Sequence, residues 1–418
     1  MFVQIHILQS MPPGNLNRDD EGQPKKCIFG GVTRGRISSQ CLKRNIRHSI
    51  QFKEVFGDDL ATRTTYLPRM VADELRKSDP SITDDELNKV KAALASKFKA
   101  EKRGGNSDEA AEGEEAQAQP ESSSAVSDGA DRTGQLVFFP PPFAKEIAEL
   151  VVELRGRTPP AYNRFIGTKA KLSKAEEKAL DKTVDEFVQR ASAASKKLTV
   201  DIGLFGRMTT SDLVVNVEAA CQVAHAISTH ETLIESDYFT AMDEKKQEFA
   251  STQTEKTGAA FLGSGDTETF FNSAVYYKYL NLDIDALKKH LSWQSDKAAL
   301  AAGVLVRAAA LSNPTGKQNS FAAHGVPELI LVEVSEAKCP ISYANAFLEP
   351  VDGINLMRES AAAMSNYIDT VVAAFSPTDM SRALLAVGSA SVDIAKAKRV
   401  NTLEDLIKSV VKLVEGTA

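Results

Sequence analysis

Seven basic residues lie between Lys25 and Arg47 (Lys25, Lys26, Arg34, Arg36, Lys43, Arg44 and Arg47), and from Lys25 onward no Asp or Glu appears until Glu54. Within this stretch, GGVTRGRISSQCLKRNIRH from Gly30 to His48, Ser38 or Ser39 is a good N-cap. Leu42, Ile46 and Ile50 then repeat at the spacing of one helix face. Gln40, Lys43 and Arg47 stand at i, i+3 and i+7 and form a second stripe beside the apolar one. At ~1.5 Å of rise per residue that stripe is roughly 10 Å long, enough to meet more than one phosphate of an extended strand. The helix start adds backbone N–H groups, two hydroxyls and the positive end of the dipole, all suited to an anion. Polyphosphate binding is the chemistry on offer, although the same charges also fit a solvated helix face.

Three other places carry candidate groups. The segment MPPGNLNRDDEGQPKK (11 to 26) reads as a surface loop in which Asn17 and Arg18 offer donors and Asp19 and Asp20 offer adjacent carboxylates. Two such acids suit either a divalent cation or a turn paired with a neighbouring Arg. After Gly206-Arg207, Met208 suits a flexible apolar wedge against a base, or a core position. In the turn Asn313 to Ser320, Lys317 and Gln318 suit contacts to phosphate or sugar, or a plain helix-to-strand connection. Gly263-Ser264-Gly265 lacks the lysine of a phosphate loop.

Metal and redox chemistry find little support. The four cysteines (Cys27, Cys41, Cys221, Cys339) show no C-x-x-C spacing, so neither zinc nor a disulfide framework is indicated, and buried or half-buried thiols are expected. His225 and His230 are five apart and would face different sides of a helix, and none of the six histidines lies beside an obvious partner. The expectation is no metal and no cofactor.

The elements that position these groups follow from periodicity. Val3, Ile5 and Ile7 alternate with Gln4 and His6, which predicts a half-buried first strand. Helical spacing predicts helices within 70 to 99, from Ala144 to Arg155, and from near Ser173, where S-K-A-E forms a capping box. Val200, Ile202 and Leu204 predict a strand, and Asn216 to Thr229 a helix. Residues 237 to 271 fit a long β-hairpin or projecting loop. Strand alternation returns at Ser273 to Tyr279, followed by an alanine-rich helix at Ser295 to Leu311 and the strand ELILVEV. A helix from near Gly353 to Phe375, a strand from Ala383 to Val387 and a helix from Thr402 to about Val414 complete the chain. Strands and long helices without a βαβ rhythm predict an α+β fold.

The 418 residues allow two or three domains, and 43% hydrophobic with 25% charged residues is an ordinary globular balance. No apolar run approaches the ~20 residues of a spanning helix. MFVQIHILQS lacks a signal peptide's features, so a cytoplasmic protein without membrane contact is expected. The net charge is −6, but the segment from Gly104 to Asp131 alone holds eight acidic and no basic residues, so the remainder is mildly basic. That segment reads as a flexible acidic insertion.

Several blocks together resemble one family, CasC, the repeated backbone subunit of the type I-E CRISPR surveillance complex Cascade. They are LNRDD (16 to 20), IFGG followed by R-x-R-I-S-S-Q-x-L-K-R-x-x-R (28 to 47), GRMxTS (206 to 211), AHAISTH (224 to 230), DYFTAMD (237 to 243), GKQ-x-S-F-A-A (316 to 323) and YANAF (343 to 347). The resemblance implies a modified RRM-like (ferredoxin-like) palm, an inserted helical fingers subdomain and a thumb β-hairpin. The palm would be residues 1–55 and 199–418, the fingers 56–198 including the acidic linker 104–131, and the thumb about 235–271.

It also implies a non-catalytic filament subunit that binds CRISPR RNA (crRNA). The grip would come from Arg18, Lys25, Arg34, Arg36, Ser38, Gln40, Lys43, Arg47, Arg207, Met208, Lys317 and Gln318, with Tyr238 and Phe239 in the thumb. Partners would be the crRNA, target DNA in the R-loop, further copies of the chain, and the large, small, Cas5-like and Cas6-like subunits of the complex. The family pattern lacks or shortens the acidic linker. A subunit that must hold any guide should grip phosphates and 2′-hydroxyls and leave base edges free, and Arg34 to Arg47 contains no aromatic residue for stacking. The rival expectation is a metal-dependent ribonuclease using Asp19 or Asp20. A third, an enzyme acting on a small phosphorylated substrate, needs a compact pocket with a base.

Overall fold

The computed structural model describes residues 1–98, 131–168, 173–238, 268–375 and 380–416. Phe239, Gly263-Ser264-Gly265, most of the expected thumb and all but the last residue of the acidic linker lie outside them. The chain divides into two compact units, one formed by Met1–Ser49, Val223–Asn281 and Ala302–Ala418, the other by Ile50–Gln222 and Leu282–Ala301. The second unit is larger than the expected insertion at 56–198, because it also takes in residues up to Gln222 and a later segment.

The first unit is built on a mostly antiparallel sheet. Its strands run in the order Ala397–Val400, Met380–Ala386, Leu329–Ser335, Phe2–Gly14, Glu268–Asp283, Ala226–Ser228, Val32–Ile37 and Lys26–Phe29. The pairing of Met380–Ala386 with Ala397–Val400 is parallel. Every residue from Phe2 to Gln9 is buried, so the first strand is not half-buried as its alternation suggested. The face carrying Leu8 packs under the Leu356–Phe375 helix through Met357, Met364 and Ile368.

Gln4 and His6 are kept in the core by hydrogen bonds. His6 Nδ1 meets the Tyr277 hydroxyl at 2.9 Å and His6 Nε2 meets the Glu333 carboxylate at 3.2 Å. Tyr343 Oη and Arg382 Nε donate to the same carboxylate at 3.0 and 2.7 Å. Burial pushes the Glu333 carboxyl up, but His6 and Arg382 outweigh it and hold it below the usual carboxylate range. His6 therefore does have partners, contrary to the sequence reading.

The second unit is mainly helical. Leu67–Ser78, Asp84–Ser96, Phe143–Arg157 and Lys174–Ala194 enclose a core that includes Val71, Leu75, Val90, Leu94, Phe143, Ile147, Val151 and Phe187. Thr83 with Glu86 and Ser173 with Glu176 form reciprocal capping boxes. A short antiparallel ladder joins Thr62–Thr64 to Val137–Phe139.

Two sequence expectations are corrected. Val200–Phe205 is a helix, not a strand: its run of alternating apolar residues is too short to separate the two periods. Asp201 stabilises it by accepting from Ala61 N–H at 3.1 Å and the Thr199 hydroxyl at 2.7 Å. Between Asn216 and Thr229 there is no helix but two strands, Cys221–Val223 and Ala226–Ser228. Ala226 pairs with Ile37, and Ile227 and Ser228 with Tyr277 and Tyr276, so sheet pairing overrides the helical spacing.

The described base of the expected thumb is an antiparallel pair, with Glu235 opposite Phe271 and Tyr238 opposite Glu268. Cys339 is exposed rather than buried. Among the described residues no helix is long and apolar enough to cross a membrane.

Candidate nucleic-acid interface

The basic helix forms over Ser39–His48. Ser38 is its N-cap, with φ −66° and ψ 147°, and its hydroxyl accepts from Cys41 N–H. The helix start is tied inward: Ser38 N–H donates to Asn17 Oδ1 at 2.8 Å and Ser39 N–H to His225 Nδ1 at 2.9 Å. These groups are spent on fixing the helix against the loop before it, so the start is less of an anion cradle than its sequence promised. Leu42 and Ile46 are buried as expected. Ile50 is 64% exposed, because Ser49 turns extended and ends the face at Ile46. Along the polar stripe Gln40 and Lys43 are half-buried, Arg44 is exposed, and Arg47 is only 6% exposed. The accessible cations of this helix are therefore Lys43 and Arg44, and the outward stripe expected to reach Arg47 stops one turn earlier.

The loop that carries Arg18 and Lys25 is locked to this helix. Lys25 N–H donates to Asn17 O at 2.8 Å, Arg36 N–H donates to Lys25 O at 2.9 Å, and Arg18 bridges to Pro24. Asp19 organises the turn within it: Oδ1 accepts from Glu21 N–H at 3.1 Å and Gln23 N–H at 2.9 Å. Turn formation is thus the observed role of Asp19, while Asp20 is exposed. Among the described residues no group of three His, Cys, Asp or Glu is placed to hold a metal ion.

A third segment, the turn Asn313 to Ser320, joins this loop from far along the chain. Gly316 approaches the loop so closely that an added Cβ would stand 2.5 Å from Leu16 O and 2.6 Å from Asn15 O. Only glycine lets the turn seat there, and this presents exposed Lys317 beside the Arg18 loop. Gln9 holds the turn from the other side, donating to Asn313 Oδ1 at 3.0 Å and Gly325 O at 2.7 Å and accepting from buried Lys278. Burial pushes the Lys278 amine down to about 8. Asn15 and Gln9 escaped the sequence reading, since uncharged amides leave no periodic signal, and His225 was weighed there only as a metal ligand.

Two arginines named from the sequence do structural work instead. Arg34 has no exposed surface; Nε donates to Phe29 O at 3.1 Å, Nη1 to Ser228 O at 3.1 Å and Nη2 to Phe347 O at 2.8 Å. In the second unit Arg207 is 5% exposed and donates to Val215 O at 2.9 Å, Phe138 O at 3.2 Å and Ser195 O at 3.0 Å. Burial pushes its guanidinium down to about 10. Both satisfy carbonyls that would otherwise be buried unpaired, so neither presents a guanidinium to an external phosphate. Arg36 is half-buried and its Nε has no hydrogen-bond partner. Met208 is 87% exposed, which excludes the core-methionine reading.

The histidines of the 224–230 block are likewise structural. His230 Nε2 accepts from Val275 N–H at 3.1 Å while Nδ1 faces Glu231 O at 2.6 Å, which sets the tautomer, and burial lowers its pKa.

The arrangement in the first unit offers cations and donors from three separate segments, on a surface suited to a phosphate chain. A chain of a solved structure, "CRISPR RNA-guided surveillance complex, pre-nicking", is 27% identical with a TM-score of 0.74, covering 99% of this chain and 100% of that one. A second, from a "CRISPR RNA-guided surveillance complex", shares the fold at 23% identity and a TM-score of 0.66, with coverage of 99% and 100%. No curated protein matches. The first of these matches agrees with the CasC-like reading of the sequence. A family model described as CT1975-like protein spans residues 3–411, and the chain belongs to that family.

Proposed function

We propose that this chain is a non-catalytic crRNA-binding backbone subunit of a type I-E Cascade surveillance complex. In this reading copies polymerise along the guide RNA and present it for pairing with target DNA in antiviral defence, beside the other Cascade subunits. The observation that carries the reading is the convergence of the Arg18–Lys25 loop, the start of the basic helix and the Lys317 turn within one unit. Cations and amides that meet phosphates and sugars grip a nucleic-acid chain without reading its letters. With about four phosphate contacts per protomer, the log–log salt slope is roughly −3 per subunit.

The test is co-expression with the neighbouring operon, followed by a gel of co-purifying nucleic acid. Discrete guide-length RNA is expected; a nucleic-acid-free monomer would sink the reading. The ribonuclease rival is weakened by the two N–H groups that Asp19 Oδ1 accepts in its own turn. Periodic Mg²⁺-dependent cutting of complementary RNA, abolished in Asp19→Ala or Asp20→Ala, would revive it.

A further inference from the structure

Around the Gly30–Gly31 turn that joins Lys26–Phe29 to Val32–Ile37, large apolar side chains stand in solvent: Ile28 is 72% exposed, Leu233 75% and Leu348 52%. The backbone brings them together. Ile28 pairs with Thr33, whose carbonyl accepts from Thr232 N–H at 3.0 Å, so Leu233 follows directly. Gly30, at φ 65°, lies so close to Leu348 O that an added Cβ would stand 1.7 Å from it, and Arg34 Nη2 ties Phe347 O to the same hairpin. Val351 N–H donates to Thr229 O at 3.0 Å, and just beyond it Ile354 projects into solvent. Single exposed apolar residues are ordinary, but a fixed cluster of them marks a protein contact.

The rim of this patch is acidic. Glu235, Glu349 and Asp352 are exposed and form no ion pair among the described residues, against one exposed lysine, Lys26, on the hairpin. Carboxylates repel a phosphate chain, so RNA is not the occupant, and the acidic segment 104–131 of the chain carries the same sign. What fits is a protein surface that sets lysines beside a smaller apolar centre.

The first unit carries such a surface at the other end of its sheet. Lys26–Phe29 is the last strand in the sheet order and Ala397–Val400 the first. Lys396 and Lys398 are exposed along that first strand and form no ion pair among the described residues, while Arg399 is turned back onto Ser391 Oγ at 2.7 Å. Val387 and Val326 are exposed at neighbouring strand ends, where Val387 N–H donates to Glu328 O at 2.8 Å.

We propose that the acid-rimmed patch around Ile28, Leu233 and Leu348 of one copy docks on the Lys396–Lys398 edge of the next. The two surfaces differ and stand at opposite ends of one sheet, so the joint is heterologous and each copy added leaves a free end for another. The inference rests on the proposed backbone role and supplies the joint between copies, which a cationic grip on RNA does not.

The experiment follows the nucleic-acid-free full chain by sedimentation velocity over a concentration series at low salt. The weight-average sedimentation coefficient should climb past that of a dimer. Glu349→Lys with Asp352→Lys, and separately Lys396→Glu with Lys398→Glu, should each weaken association at least about tenfold, since each sets like charges face to face. An equimolar mixture of the two variants should recover it, because every joint in an alternating series then pairs opposite charges. A wild type that stays monomeric or stops at a dimer overturns the proposal, as do variants that associate undiminished. Loss without recovery in the mixture overturns the pairing of these two ends. An RNA oligonucleotide short enough for one protomer keeps this test apart from the proposed function: both variants, with folding checked by circular dichroism, should bind it as the wild type does. Variants that lose this binding too have not isolated a joint, and the proposal falls. Failure of the wild type to bind it would sink the guide-binding role, while sedimentation still decides the joint.

Discussion

Arg34 and Lys43 belong to the same basic stretch, yet Arg34 has no exposed surface and serves three carbonyls, whereas Lys43 stands half-exposed on a helix face. The difference comes from what each element meets. The Val32–Ile37 strand is flanked by Lys26–Phe29 and Ala226–Ser228, and its side chains reach main-chain groups of Phe29, Ser228 and Phe347. The Ser39–His48 helix buries Leu42, Ile46 and Arg47 and leaves Lys43 half-exposed and Arg44 exposed. Positive charge within one short segment therefore divides into a part that holds the fold and a part available to a ligand, with Arg207 repeating the first role in the second unit.

That division can be broken by substitution. Arg34→Ala should have the largest effect, orphaning three buried carbonyls at a cost of about 4 kcal/mol, read as a lowered urea midpoint. Lys43→Ala should move the same midpoint by less than about 0.5 kcal/mol. If the two substitutions destabilise equally, the contrast is wrong.

Next comes Glu333→Gln, which leaves Arg382 without its buried counter-charge and should cost about 3 kcal/mol near neutral pH. The pH dependence has a definite sign. The folded carboxyl lies below its ordinary value, so its contribution is present above about pH 4.5 and is lost as pH falls through the lower, folded value. Urea midpoints of the two proteins should therefore converge as the solution is acidified below about pH 4.5; a constant gap would refute the assignment.

Lys43→Glu and Lys317→Glu sharpen the outward half of the comparison. Each should weaken guide binding and reduce the magnitude of the salt slope by about 0.7, with little change in stability. Retained slope and affinity in the double variant would remove both from the interface. The smallest effect belongs to Asp19→Asn, since an amide oxygen still accepts from Glu21 and Gln23. A change under about 0.5 kcal/mol is expected, against about 1 kcal/mol for Asp19→Ala, both by thermal melting.

Much of the fold was readable from local pattern. The helices at Phe143–Arg157, Ser295–Leu311 and Leu356–Phe375 and the strand at Leu329–Ser335 fall where periodicity put them, because each has a buried face long enough to declare its period. Val200–Phe205 and the strands at Cys221–Val223 and Ala226–Ser228 did not: six residues are too few to separate a helix from a strand in the first, and in the other two pairing with distant strands outweighs so short a period. Gln4 and His6 misled for a related reason: a polar residue on a strand reads as outward unless its partner is known. Here the partners of His6 are Tyr277 and Glu333, hundreds of positions away.

Sequence alone determined two caps, a serine before the basic helix (Ser38 of the pair Ser38 and Ser39) and Ser173 with Glu176, since the groups involved lie within four residues and need no tertiary partner. It also determined the concentration of cations from Lys25 to Arg47. Which of those cations stay available was decided only by tertiary structure, because a guanidinium is drawn inward wherever folding gathers unpaired carbonyls around it. The seating of Lys317 and Gln318 beside the Arg18 loop is decided in the same way, through contacts at Gly316 and Gln9 that join ends of the chain no local pattern connects.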